Sequence, residues 1–295
     1  MKLAAPLERR SVRTTARSFL AGLAASLTLA TASTATGQAL APDTIVVRSG
    51  SLSLRGLLWR PRGGGPFPAV LFNHGSYETS DSSMMLDGAV VGPVLARHGY
   101  VVFVLFRQGV GLSIGQDSSG GDRMTQAKLR GGQRARNVRQ LELLEGPELA
   151  QAQAGVLYLE GRPDVDRERI GVLGHSFGGS LSLLLAGRDT SIHAVVSFSG
   201  GAGSWENSPE LRARLTAAVA HARAAIFFNH AANDYSTASG VALAAEMARL
   251  RRPHLLRIYP RFGQSARDGH NMVFRDPSIW ESDVVAFLNQ HLSRR

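Results

Sequence analysis

The chain has 295 residues, of which 44% are hydrophobic and 19% are charged, a composition ordinary for a globular protein. It contains no cysteine, which excludes disulfides, a cysteine nucleophile and thiolate metal ligands. The net charge is +10, but no run of Lys and Arg is interleaved with aromatic residues, so we expect no nucleic-acid partner. A His-Glu-x-x-His zinc signature is absent from the sequence, and we expect neither a metal nor a cofactor.

The first 39 residues have the order of a secretory signal peptide. Residues 1–17 are basic, residues 19–30 form an apolar run rich in Leu and Ala, and residues 31–39 are mostly small. We predict cleavage after Ala39, with the segment at Ala30–Ala32 as the competing site. The apolar run is shorter than the ~20 residues that span a bilayer. The alternatives are a disordered basic terminus or an uncleaved anchor.

The pattern therefore predicts a signal peptide over residues 1–39 and a catalytic domain over residues 40–295, exported to the periplasm or the medium. No second long apolar segment follows, so we expect no stable membrane insertion once the leader is removed. The sequence does not indicate an oligomeric state.

Apolar runs of strand length alternate with helical patterns along the rest of the chain, which is typical of a parallel sheet covered by helices. In chain order, the runs predict strands over residues 44–47, 52–59, 69–72, 100–106, 170–173, 194–197, 225–228 and 255–259. The first two are expected to form an antiparallel pair. Helices are predicted over residues 84–98, 124–159 with a break at Gly146, from 181 onward, 239–250 and 279–291, with a glycine-rich loop over 109–122. The expected fold class is α/β, with one mostly parallel sheet of about eight strands flanked by helices and no second domain.

One motif carries the chemistry. The segment Gly174-His175-Ser176-Phe177-Gly178 follows a predicted strand and precedes a predicted helix, the context in which Gly-x-Ser-x-Gly forms a nucleophile elbow. The sharp turn exposes the Ser176 hydroxyl, and the glycines allow neighbouring segments to approach. The alternative interpretation is an ordinary glycine-rich turn.

A serine hydroxyl needs a base to act as a nucleophile, and in this kind of sheet the chain order is serine, acid, histidine. Asp234 and His270 follow later strands in that order. We predict that His270 accepts the proton of Ser176 and that Asp234 orients the imidazole. Asp234 could instead cap the helix that begins near Ser236.

The other candidate acids and bases are assigned lesser roles. Asp268 is two residues from His270 and is expected to point away. His230 and His291 are interpreted as structural, and His175 is expected to line the pocket or to pack beneath it.

Two backbone N–H groups are predicted to form an oxyanion hole. The first belongs to Phe177, at the N-terminus of the helix that follows the nucleophile. The second belongs to the loop after the third strand, where Gly75 allows a close turn and Ser76 is preferred over Tyr77. The alternative is that His74 and Gly75 only shape this loop.

Together these segments resemble the dienelactone hydrolase branch of the α/β-hydrolase superfamily, over nearly the whole chain after the leader. The resemblance rests on Asn73-His74-Gly75, Arg107-Gln108-Gly109, the elbow motif, Asn233-Asp234 and Gly269-His270. It also extends to the catalytic domain of prolyl-oligopeptidase-type peptidases, although the chain has no room for a propeller domain. Members that act on dienelactone itself have a cysteine in place of Ser176, so the resemblance implies general ester chemistry.

The leading hypothesis is a carboxylic ester hydrolase that acts through an acyl-enzyme on a small-molecule ester. The same machinery could cleave an amide or a peptide, and a non-catalytic binding protein on this fold is the third hypothesis. A cap over the site could form from residues 124–159 or 204–215, with Tyr77 and Trp205 as candidate pocket aromatics.

Overall fold

The computed structural model describes residues 41–81 and 83–293, and the predicted signal peptide lies outside these residues. Eight strands form one sheet. They are β1 (Asp43–Ser49), β2 (Leu52–Trp59), β3 (Phe67–Asn73), β4 (Val101–Leu105), β5 (Val165–His175), β6 (Ile192–Phe198), β7 (Ala225–Ala231) and β8 (His254–Tyr259).

The strand order is β1-β2-β4-β3-β5-β6-β7-β8, with β3 inserted between β4 and β5. The pairs β1–β2 and β2–β4 are antiparallel, and every pair from β4 to β8 is parallel. Central parallel strands are buried on both faces, which explains why they appear in the sequence as continuous apolar runs. The predicted fold class is therefore confirmed.

Helices cover both faces of the sheet. The helices are α1 (Ser83–Ala96), α2 (Gly120–Glu145), α3 (Pro147–Glu160), α4 (Phe177–Ala186), α5 (Pro209–His221), α6 (Ala238–Arg249), α7 (Ala266–His270), α8 (Met272–Arg275) and α9 (Glu281–His291). Side chains alternate along each strand. Leu71 of β3 accordingly packs in the core beneath α3 to α6, whereas Val70 and Phe72 pack in the core beneath α1, α8 and α9.

Several helical features differ from the sequence prediction. Helix α2 begins within the predicted loop, where the Ser119 hydroxyl accepts a hydrogen bond from Asp122 N at 3.0 Å. It is kinked at Gly131 and Gly132, whose dihedral angles are not helical. Helix α5, which the sequence did not predict, overlaps the candidate cap segment 204–215 and buries Leu211 and its neighbours against α4 and α6.

The carboxyl ends of β3, β5, β7 and β8 meet at one edge of the sheet, where open α/β sheets form their ligand sites. The segments that follow these strands carry all the predicted site residues. Among the described residues, no helix is both long enough and apolar enough to cross a membrane.

Candidate active site

Ser176 lies between β5 and α4 with φ 57° and ψ −116°, a backbone conformation that non-glycine residues rarely adopt. The turn depends on the two flanking glycines. A Cβ on Gly174 would lie 2.1 Å from the carbonyl oxygen of Gly178, and one on Gly178 would lie 2.0 Å from that of Asn73. Any side chain at these positions would force α4 away from the ends of β5 and β3.

His270 and Asp234 lie beside Ser176. The Nε2 atom of His270 is 2.9 Å from Ser176 Oγ, and its Nδ1 atom is 2.7 Å from Asp234 Oδ1. His270 ends α7, and Asp234 follows β7. The structure thus places a hydroxyl, an imidazole and a carboxylate in one hydrogen-bonded row, although the three residues come from distant parts of the chain.

Asp234 has a second histidine partner. His230 Nδ1 is 2.8 Å from Asp234 Oδ2, and both side chains are buried. Burial alone would raise the pKa of Asp234, but hydrogen bonds from His230 and His270 outweigh it and hold that pKa well below the ordinary value. The sequence offers one signal for this pairing, because both residues flank the end of the same strand.

His175 packs beneath the row. Its Nε2 atom is 2.8 Å from the backbone oxygen of His270, so Nε2 carries the proton. Burial, and then the neighbouring His270, lowers the pKa of His175 to about 3. The ring is therefore neutral at pH 7 and acts as a spacer under His270.

Asp268 faces away from the row. It forms a capping box with Ser265 at the start of α7, and its pKa is lowered by the Ser265 and Gln264 hydrogen bonds. The carboxylate therefore stabilises the short helix that ends at His270.

The two predicted oxyanion donors flank the serine. Phe177 is the first residue of α4, so its N–H has no partner within the helix. Ser76 lines the same pocket as Ser176, and a Cβ on Gly75 would lie 3.7 Å from Ser176 Cβ. The loop after β3 therefore borders the space in front of the hydroxyl.

Behind this loop lies a buried polar cluster that sequence analysis did not assign. Arg107, which follows β4, pairs with Glu148 of α3 through its Nε atom, and both side chains are almost fully buried. Its Nη2 atom donates to the backbone oxygens of His74 at 2.8 Å and Gly75 at 3.1 Å. The guanidinium also lies 5.5 Å from the ring centre of Phe177.

A pocket of about 640 Å³ opens in front of Ser176. Its lining is mostly polar, and the charged members are Asp81, Asp87, Glu206, Arg136, Arg267 and Arg275. Tyr77 lines it as considered from the sequence, whereas Trp205 is buried in the core. Arg136 of α2 is half-buried beside Gln140 and Ser204, which have neutral side chains, and burial lowers its pKa.

Within the described residues, no group of three or more His, Cys, Asp or Glu side chains could hold a metal ion.

The sequence model of the dienelactone hydrolase family matches residues 54–276, which include every residue of the site. The chain belongs to this family. The resemblance inferred from the motifs is confirmed, and the protein is a member of a hydrolase family with the α/β-hydrolase fold. No curated protein matches the chain.

Solved structures agree on the fold. A dienelactone hydrolase from Anabaena variabilis is 21% identical to this chain with a TM-score of 0.59. The alignment covers 86% of this chain and 100% of the length of that hydrolase. A dienelactone hydrolase-like promiscuous phosphotriesterase from metagenomic libraries is 17% identical with a TM-score of 0.61. The alignment covers 87% of this chain and 100% of the length of that enzyme. An acylaminoacyl peptidase from Pyrococcus horikoshii is 16% identical with a TM-score of 0.61, covering 88% of this chain but 43% of its own. This chain therefore spans less than half of that peptidase.

Proposed function

We propose that the protein is a serine hydrolase that cleaves carboxylic esters through an acyl-enzyme on Ser176. The observation that carries the proposal is the 2.9 Å contact between Ser176 Oγ and His270 Nε2, with Asp234 on the far side of the imidazole. A base within hydrogen-bond reach of a hydroxyl, itself oriented by a third group, is the arrangement that activates a serine.

In the proposed reaction, Ser176 Oγ bonds to the ester carbonyl carbon while His270 Nε2 takes the hydroxyl proton. The carbonyl oxygen becomes an oxyanion that accepts hydrogen bonds from the N–H groups of Phe177 and Ser76. Breakdown expels the alcohol, which receives the proton from His270. Water then attacks the acyl-enzyme while His270 accepts the proton of the water. The acid is released, and His270 returns the proton to Ser176 Oγ.

The electrostatics of Asp234 suit this role. Its pKa is held well below the ordinary value, so the carboxylate stays charged at neutral pH and stabilises the imidazolium that forms during attack. His175, neutral because its pKa is lowered to about 3, adds no competing positive charge beneath His270.

The pocket supports a compact, polar substrate. Its charged lining would leave a long aliphatic acyl chain without apolar contacts, so we expect esters of short or polar acids to be cleaved faster. An amide would use the same residues. A panel of esters and amides with the same acyl group and matched leaving groups separates the two activities. An amide cleaved at a rate comparable to that of its matched ester, despite its lower intrinsic reactivity, would replace the ester assignment with that of a peptidase.

The test of the catalytic assignment is labelling by a fluorophosphonate probe, with the modified residue mapped by mass spectrometry. We expect label on Ser176 in the wild-type protein, and none in Ser176→Ala or His270→Ala variants that remain folded by circular dichroism. A folded wild-type protein that takes no label and cleaves no ester would refute the serine hydrolase assignment and favour a binding protein.

A further inference from the structure

The orientation of one peptide unit, between Gly75 and Ser76, is controlled from behind the loop. The Gly75 oxygen is 3.1 Å from Arg107 Nη2 and 2.7 Å from His74 Nδ1. The backbone N–H of Arg107 donates to His74 Nε2 at 3.0 Å, so Nε2 is unprotonated and Nδ1 carries the proton. Burial and the adjacent Arg107 lower the pKa of His74, which keeps this tautomer neutral. Two donors therefore hold the Gly75 carbonyl.

A held carbonyl also determines the direction of the next N–H group. The atoms of a peptide unit are coplanar, and in a trans unit the C=O and N–H bonds point in opposite directions. The unit between Gly75 and Ser76 is trans, since the cis bond within the described chain is Gly65-Pro66. With its carbonyl turned toward Arg107, this unit directs the Ser76 N–H away from the buried cluster. Ser76 and Ser176 line the same pocket.

Arg107 also contacts the other predicted donor residue. The Phe177 ring covers the guanidinium at 5.5 Å, and Phe177 supplies the first N–H of α4. Glu148 holds the guanidinium through Nε, so the cation cannot rotate to another partner. Arg107 is 2% exposed and does not line the pocket, so it cannot touch a substrate there.

We propose that Arg107, held by Glu148, is a positioning residue that orients the Ser76 N–H into the oxyanion hole. The inference rests on the proposed serine hydrolase activity. It also gives a reason for the burial of the Arg107 guanidinium behind the loop that contains Gly75. Without it, the peptide unit between Gly75 and Ser76 could rotate, and the tetrahedral intermediate would lose one of its two donors.

The test is the double variant Arg107→Met/Glu148→Leu, because removing one partner alone would leave a buried unpaired charge. We expect kcat per active site for p-nitrophenyl butyrate to fall about 10²-fold, the scale of losing one oxyanion donor. The fluorophosphonate labelling rate should fall in parallel. The KM and the acid limb of the pH–rate profile should stay unchanged, because Arg107 touches neither the substrate nor His270.

The matched control is Arg162→Met/Asp164→Leu, which removes a half-buried ion pair of 2.7 Å before β5, with no contact to the loop after β3. It should lower the melting temperature and leave kcat unchanged. If Arg107→Met/Glu148→Leu does not fold, Arg107→Lys replaces it, because a lysine can pair with Glu148 but cannot also hold both carbonyls. We expect a fall in kcat of about tenfold for that variant, since part of the hold is kept.

Two outcomes would overturn the inference while the proposed function stands. The first is a wild-type protein that is labelled on Ser176, together with an Arg107→Met/Glu148→Leu variant that is labelled at the same rate. The second is a variant whose KM and pH profile shift together with kcat, which would mean general distortion of the site. Absence of label on the wild-type protein would instead refute the proposed function itself.

Discussion

His230 donates a hydrogen bond from Nδ1 to Asp234 Oδ2 at 2.8 Å, while His270 donates to the other oxygen of the same carboxylate at 2.7 Å. The acid of the proposed triad is thus held from both sides by imidazoles. This relationship makes His230 more than a packing residue, since rotation of the carboxylate would withdraw Oδ1 from His270.

The contribution of this contact is measurable. We expect His230→Leu to lower the free energy of unfolding by about 1.5–3 kcal/mol, the value of a hydrogen bond to a charged group. We also expect a fall in kcat of roughly tenfold, equivalent to ~1.4 kcal/mol. His230→Asn keeps a donor near the position of Nδ1 and should recover most of both losses. Urea unfolding measures the stability and ester kinetics measure kcat. Equal losses in His230→Leu and His230→Asn would show that the hydrogen bond to Asp234 is not the cause of either loss.

The backbone of Ser176 is strained, with φ at 57°. Glycine adopts such angles freely, whereas a residue with a Cβ does so at a cost of ~1–2 kcal/mol. Both Ser176→Gly and Ser176→Ala should abolish ester hydrolysis, but we expect Ser176→Gly to be the more stable by about 1 kcal/mol. Thermal unfolding of the two inactive variants isolates the backbone contribution, and a more stable alanine variant would contradict it.

Gly178 is required by close approach. An added methyl would lie 2.0 Å from the backbone oxygen of Asn73, so α4 must move away from β3. We expect Gly178→Ala to destabilise the protein by about 3 kcal/mol and to abolish labelling of Ser176. The control is Gly64→Ala in the exposed loop before β3, where an added methyl meets nothing within 4 Å. That variant should change stability by less than about 0.5 kcal/mol. Similar stability losses in the two variants would refute the steric explanation.

His175 makes stability depend on pH. Its pKa is about 3 in the folded protein, against about 6.5 in an unfolded chain. Below pH 6.5 the unfolded chain binds a proton that the folded protein does not. The contribution of His175 alone should therefore lower the free energy of unfolding by about 1.4 kcal/mol per pH unit as the pH drops from about 6 toward 3.

His175→Gln removes this proton uptake and can still donate to the backbone oxygen of His270. We expect its stability to decline less steeply with falling pH, with a remaining slope from His74, whose pKa is also lowered by burial. Urea unfolding at pH 7, 6, 5 and 4 compares the two proteins. Identical slopes would show that His175 does not titrate in this way.

Local patterns in the sequence were enough to predict the sheet, its antiparallel opening and the elbow at Ser176, because each depends on neighbours along the chain. Buried parallel strands need continuous apolar runs, and a strand-to-helix turn needs small residues at Gly174 and Gly178. The sequence also predicted that Ser176, Asp234 and His270 lie near one another, because each follows a parallel strand and the carboxyl ends of such strands meet at one edge of the sheet.

Other features were decided by the tertiary structure alone. Arg107 and Glu148 are 41 residues apart, and their pairing depends on how α3 crosses the sheet behind β4. The same holds for the half-buried Arg136, which reaches the pocket from the kinked α2. Periodicity records which face of an element is buried, but it does not record which buried polar groups meet, because those contacts form between elements that only the folded chain brings together.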